Sequence, residues 1–136
     1  VAEPEFIQVV LDRRLRQPLD YLPVVGLSAA AIPLGARVRV PIGRAEAIGM
    51  VIAHATSSPI DPSRLKPARE LLDQTPIIDA DLLTLLRWTA DYYHHPLGEV
   101  IFSSLPTSLR DGAHAEAVLR HWQITPAGTL ALAENA

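Results

Sequence analysis

The chain has 136 residues, a net charge of −3 and a pI of about 5.9, a length for one domain or one domain plus a fragment. With 49% hydrophobic and 20% charged residues it is not a disordered chain. It has no cysteine, which excludes disulfides, thiolate zinc sites, iron–sulfur clusters and cysteine nucleophiles within it. It begins at Val1 without Met, which reads as a trimmed start or a piece of a longer chain, and Glu3 and Glu5 stand where a signal peptide would carry positive charge. The longest uncharged stretch, Tyr21 to Ala36, is broken by Pro and Gly and is too short for a membrane span. The expectation is a soluble protein of a reducing compartment.

Phe6 to Leu11 is apolar and β-branched and reads as a strand. Pro18 and Pro23 bracket a short extended piece, Leu19 to Leu22, and the chain then runs as loop through Gly35. Ala36 to Ile42 is the clearest strand: Val38 and Val40 alternate with Arg37 and Arg39, giving one apolar and one cationic face. Gly43 to Glu46 reads as a hairpin connection into a second strand, Ala47 to Ala55, where Gly49 suggests a bulge or sharp bend. A short strand is placed around Ala68 to Leu72. Asp79 is a good N-cap for a helix reaching His95. Leu82, Leu85, Leu86, Thr89 and Tyr93 define its buried stripe, and Pro96 ends it. A second short helix covers Gly98 to Leu105. Beyond Pro106 a strand at His121 to Thr125 and a helix opening at Pro126 are expected. One strand and one helix cannot bury a core, so this segment reads as the start of a second domain.

Charge is uneven. Residues 13–44 carry six arginines and one acid, net +5, whereas residues 51–105 carry four bases and seven acids, net −3. The arginines fit solubilising strand positions or an anion-facing surface. No phosphate loop, dinucleotide-binding glycine motif, nucleophile elbow or zinc-protease motif occurs. Asp91 and His95 have a metal-ligand spacing, but two ligands do not make a site, so helix-end histidines are the simpler account. Trp88, Tyr92 and Tyr93 fit core or rim packing better than a stacking platform. Asp20 is the lone acid of the basic third. It fits a turn residue binding its own backbone, or a carboxylate that accepts hydrogen bonds from a ligand and refuses a phosphate. Spacing alone favours the turn.

The ordered runs Pro18-Leu19-Asp20-Tyr21-Leu22, Gly35 to Arg44, Ile48-Gly49-Met50-Val51 and Leu65-Lys66-Pro67 are followed by Ala90-Asp91-Tyr92-Tyr93-His94-His95-Pro96-Leu97-Gly98-Glu99-Val100. Over about residues 6–110 this set resembles the N-terminal 3′-end DNA-binding domain of the PriA (primosomal protein N′) family of replication-restart helicases. The resemblance implies an α+β fold: a small β-rich, partly barrel-like domain with C-terminal helices over residues 1–108, then an incomplete winged-helix segment over 109–136. It implies a module that binds the 3′ end of the nascent leading strand at stalled forks and is not itself an enzyme. The ATP, magnesium and zinc sites of the family belong to domains further downstream. It also implies a cytoplasmic setting without membrane, with forked DNA as partner, and other primosome proteins and single-stranded DNA-binding protein reached through the full-length protein. Carried over by motif, the 3′-end residues are Leu19, Asp20, Tyr21, Gly43 and Lys66, with Leu19 standing where many members have Phe or Tyr. Arg37, Arg39 and Arg44 are then expected to meet phosphates. Few aromatics and net negative charge imply weak binding by the module alone, with affinity coming from linkage to other domains. The rival reading is a small-barrel protein-interaction module.

Overall fold

The computed structural model describes residues 3–115 and 121–136. Five strands, β1 (Phe6–Leu11), β2 (Leu19–Tyr21), β3 (Arg37–Ile42), β4 (Ala45–Ala55) and β5 (Glu70–Leu71), form one antiparallel sheet in the order β2-β1-β4-β3-β5. Four helices follow: α1 (Ala80–Tyr92), α2 (Leu97–Ser103), α3 (Thr107–Arg110) and α4 (Pro126–Glu134). The fold class is α+β, and the sheet is curled but not closed. Its two edges meet at a single bridge, Leu22 to Pro67, where Leu22 N–H donates to the Lys66 carbonyl at 3.0 Å and Ala68 N–H to the Leu22 carbonyl at 2.9 Å.

Both faces of the sheet are covered, and this explains the near-continuous apolar runs of β1 and β4. Ile7, Val9, Leu11, Val38, Val40 and Val51 fill the inside of the curl with Tyr21 and Ile32. Val10, Met50 and Ile52 point the other way, onto Leu83, Leu86, Ile101 and Phe102 of the helices. Between Gln8 and Val9 the β1–β4 register skips Ile52, so the bulge sits in β4 three residues beyond Gly49. Gly49 itself keeps regular pairing; a Cβ there would collide with the Val9 side chain, so the glycine serves close packing. The bulge takes Ile52 out of the ladder, and Arg87 Nη2 donates to its carbonyl at 2.6 Å.

The two-sided burial corrects the cationic-face expectation for β3. Val38 and Val40 are buried as expected, but Arg37 is also fully buried, at 0% exposure. Its Nε and Nη2 donate to the two oxygens of Asp73, each at 2.8 Å, its backbone N–H donates to the same carboxylate at 2.9 Å, and Nη1 donates to the Leu109 carbonyl at 2.8 Å. Arg37 is therefore a structural residue and not a phosphate contact. Leu109 also packs against the helical core.

The buried stripe of α1 is Leu83, Leu86 and Ala90: of the expected stripe only Leu86 is buried, while Leu82, Leu85 and Tyr93 are exposed, Leu85 at 55%. Asp79 caps the helix through the Leu82 N–H at 2.8 Å. Its other end is a Schellman-type stop: His94 takes a left-handed φ of 52°, His94 N–H bonds the Asp91 carbonyl and His95 N–H the Ala90 carbonyl. Gly98 follows because α2 begins directly against the backbone of Leu11, where any Cβ would overlap its carbonyl. The expected strand at His121 to Thr125 is absent, for no neighbouring strand pairs with it; Thr125 instead caps α4. No residue of α4 is buried, and residues 116–120 of the expected winged-helix segment lie outside the described residues.

A buried charge that loses its partner costs about 3–5 kcal/mol. Asp73→Ala should therefore destabilise the protein by that amount in urea denaturation, while Arg39→Ala, which removes only a half-exposed pair, should cost under about 1 kcal/mol.

Candidate nucleic-acid interface

The site grows out of the seam where the sheet edges meet. β2 is only three residues long, and Tyr21 secures it. The Tyr21 hydroxyl donates across the opening to the Pro41 carbonyl of β3 at 2.8 Å. Burial pushes this phenol above its ordinary pKa range, against a smaller opposing pull from Arg13, so it stays a donor at neutral pH. Tyr21 thus forms a wall whose polar end is already engaged, and its ring is nearly fully buried.

Leu19, Asp20, Tyr21, Gly43 and Lys66 line one cavity of about 210 Å³. That is smaller than the roughly 300–1,000 Å³ of drug-sized sites. Asp20 is half-buried at its rim. Ser58 Oγ donates to Asp20 Oδ2 at 2.6 Å, while Oδ1 accepts no hydrogen bond among the described residues. Asp20 is therefore tied to a neighbouring loop and not to its own turn. Gly43 opens the two-residue hairpin between β3 and β4 with a φ of 59°, and a Cβ built there meets nothing within 4 Å. The glycine answers a backbone need of the turn, and it leaves the approach to the cavity clear.

The expected cationic partners are redistributed. Arg39 is half-exposed and pairs with Glu70 at 3.2 Å, so its charge is engaged outside the cavity. Arg44 is exposed beside Gly43, forms no ion pair among the described residues and does not line the cavity. Arg64 does line it. Sequence reasoning missed Arg64, Ser58 and Ile60 because they lie in the stretch between β4 and β5, which carries no chemical motif. The signal that could have found them is Asp61-Pro62-Ser63, a cap with Pro at the first helical position. Asp61 accepts from Ser63 N–H at 3.0 Å and Ser63 Oγ at 2.9 Å, and these bonds hold its carboxyl below the ordinary carboxylate range. A lowered carboxylate pKa favours the folded loop above the unfolded value and is lost as pH falls through the lowered one, so the turn that aims Arg64 and Lys66 keeps its cap at neutral pH.

Asp91 and His95 do not form a ligand pair: His95 Nε2 lies 2.8 Å from Glu99. Among the described residues there is no cluster of three metal-ligating side chains. No helix of the described residues is long and apolar enough to cross a membrane.

The sequence matches the family model of the 3′ DNA-binding domain, the 3′BD of PriA, over residues 8–106. The chain belongs to this family. It is 33% identical over 132 residues to the replication restart protein PriA of Haemophilus influenzae, covering 96% of this chain and 18% of that protein. The PriA of Buchnera aphidicola (strain APS) is 27% identical over 128 residues, covering 90% and 16%. The PriA of Bacillus subtilis is 27% identical over 119 residues, covering 85% and 15%. The chain thus spans under a fifth of the length of these relatives. Within the 3′BD, the cavity, the seam and α1 and α2 all fall inside the matched range.

A left-handed residue with a Cβ costs about 1–2 kcal/mol. Gly43→Ala should destabilise the protein by about 1 kcal/mol in urea denaturation, and Gly43→Asn by less, since Asn tolerates this conformation.

Proposed function

We propose that the cavity at the seam receives the 3′-hydroxyl end of a DNA strand. In the full-length setting this would recognise the nascent leading strand at a stalled replication fork. The observation that carries the reading is one carboxylate, Asp20, whose Oδ1 accepts no hydrogen bond among the described residues, set with Lys66 and Arg64 around a cavity of about 210 Å³. Membership of the 3′ DNA-binding family supports it. A carboxylate accepts a hydrogen bond from a terminal hydroxyl or base edge and repels a terminal phosphate, while the cations meet the phosphate that follows. Tyr21 and Leu19 supply apolar walls, and the clear backbone at Gly43 favours contacts common to all four bases. In this reading Arg44 is the remaining phosphate contact of β3 and its hairpin, and the helicase motor with its ATP, magnesium and zinc belongs to other parts of a longer protein. Residues from 109 onward lead from this module toward a winged-helix domain. The setting is the bacterial cytoplasm, with other primosome proteins and single-stranded DNA-binding protein engaged through the whole protein.

A protein-interaction role is favoured by one observation, the outward apolar face of α1. Leu82 and Leu85 are exposed there, and Trp88 stacks on Tyr92 with centroids 5.0 Å apart, edge-on to Tyr93. These aromatics lie outside the core, contrary to the packing expectation, because the buried stripe runs through Leu83, Leu86 and Ala90. The two roles occupy different surfaces and separate by salt and strand-end dependence.

Titration of labelled single strands tests the end-binding role. A 3′-hydroxyl strand should bind more tightly than a 3′-phosphate strand. A hydrogen bond to a charged group is worth roughly 1.5–3 kcal/mol, so Asp20→Ala should weaken 3′-hydroxyl binding by about one to two orders of magnitude. Equal binding of both ends together with a silent Asp20→Ala would sink the reading.

A further inference from the structure

A second cavity, of about 670 Å³, lies on the helical side of the sheet, between the end of α1 and the segment running from Arg14 to Pro18. Its walls carry Arg14, Arg16, Arg87, His94 and His95 against one carboxylate, Asp91. These cations are not equivalent. Arg87 is directed inward to the Ile52 carbonyl. Arg14 lies 3.4 Å from Glu99, whose other oxygen is held by His95. Arg16 is exposed and forms no ion pair among the described residues. Even with both imidazoles neutral and Glu99 counted, positive charge is in excess.

The position of the cleft matters as much as its charge. Pro18 lines it, and the next residue, Leu19, lines the end cavity. An extended chain covers at most about 3.6 Å per residue, so the backbones of Arg16 and Asp20 lie within about 14 Å of each other. A polyanion ending at Asp20 therefore reaches the cleft within a few phosphates. The other way out of the end cavity is a groove of about 600 Å³ past Val24, Val25 and Pro67. That groove is largely apolar, and one of its two cations, Arg69, is paired with Glu46 at 3.2 Å. It offers phosphates little beyond Lys66. Guanidinium groups suit phosphodiester oxygens, and of the three that line the cleft Arg16 has no protein partner among the described residues.

We propose that this cleft binds the phosphodiester groups of the DNA strand behind the end held at Asp20, with Arg16 as the contact still free to make; the inference rests on the end-binding reading above. The strand would run from the end cavity along the Arg16–Pro18 segment toward the end of α1.

The test compares a 3′-hydroxyl dinucleotide, which reads the end cavity alone, with a strand of about ten nucleotides, which reads both sites, on the full chain. The longer strand should bind more tightly and with a steeper salt dependence. Arg16→Ala should cost the longer strand about three- to ten-fold in affinity, lower its salt slope by about one and leave the dinucleotide unchanged; Arg16→Lys should restore the slope. Asp20→Ala should weaken both lengths. Parent-like binding of the longer strand by both Arg16→Ala and Arg16→Glu would overturn the proposal. So would loss of an acidic peptide's binding in Arg16→Ala with the longer strand unaffected, which would assign the cleft to a protein partner. A silent Asp20→Ala at both lengths, with the Arg16 effect retained, would overturn the end-binding reading and leave a phosphate-binding cleft.

Discussion

The buried pair of Arg37 and Asp73 is the interaction on which the other contacts depend. β5 is two residues long and would not hold an edge by ladder bonds alone. Arg37 places its guanidinium side-on against Asp73, while Arg69 and Leu72 N–H groups bond the carbonyls of Arg39 and Arg37. Together these fasten residues 69–73 along β3. The chain just before that run, Lys66 to Ala68, is what meets Leu22 across the seam. The same guanidinium also grips the Leu109 carbonyl and draws α3 onto the sheet. Desolvating two charges is costly, and the repayment here is full hydrogen bonding of both carboxylate oxygens with good geometry. The position of Lys66 at the cavity thus traces back to a buried charge pair that does not line it.

β1, β3 and β4, the hairpin at Gly43 and the Asp79 cap were legible because each rests on local rules of alternation, turn chemistry and capping; the end of α1 was not, since the helix stops at Tyr92 through the left-handed His94 and does not run to His95 and Pro96. The misreadings share a different cause. The Arg37–Val38–Arg39–Val40 alternation implies one wet face, but α3 and the Asp73 loop cover the position of Arg37 and not that of Arg39. No local pattern distinguishes the two arginines. In α1, Leu86 can share a helical stripe with Leu82 and Leu85 or with Leu83 and Ala90, and only the placement of Ile52 and Phe102 selects the second. The strand predicted at His121 to Thr125 failed because strand formation needs a partner, and a propensity window does not contain one.

The site was legible in a different way. Leu19, Asp20, Tyr21, Gly43 and Lys66 came from resemblance, and the fold brings all five to one cavity. Ser58 and Arg64 came only from the fold, since they lie on a loop whose composition carries no chemical signature. Ser58 already engages one carboxylate oxygen of Asp20, so the side chain presents a single oriented acceptor and not a freely rotating group. Lys66 and Arg64 line the same cavity as this acceptor, whereas Arg44, on the hairpin, does not.

The open seam has a mechanical meaning. A closed barrel fixes its walls to each other all around, whereas here the Leu22–Pro67 bridge and the Tyr21 hydroxyl are the stitches between the two edges. A molecule seated among Asp20, Gly43 and Lys66 touches β2, the β3–β4 hairpin and the run into β5 at once. It would act as an added stitch, so the energy of holding it and the energy of keeping the sheet curled are the same reservoir. On the proposed end-binding role, such a grip would depend on spanning the gap between the two edges more than on reading a particular base.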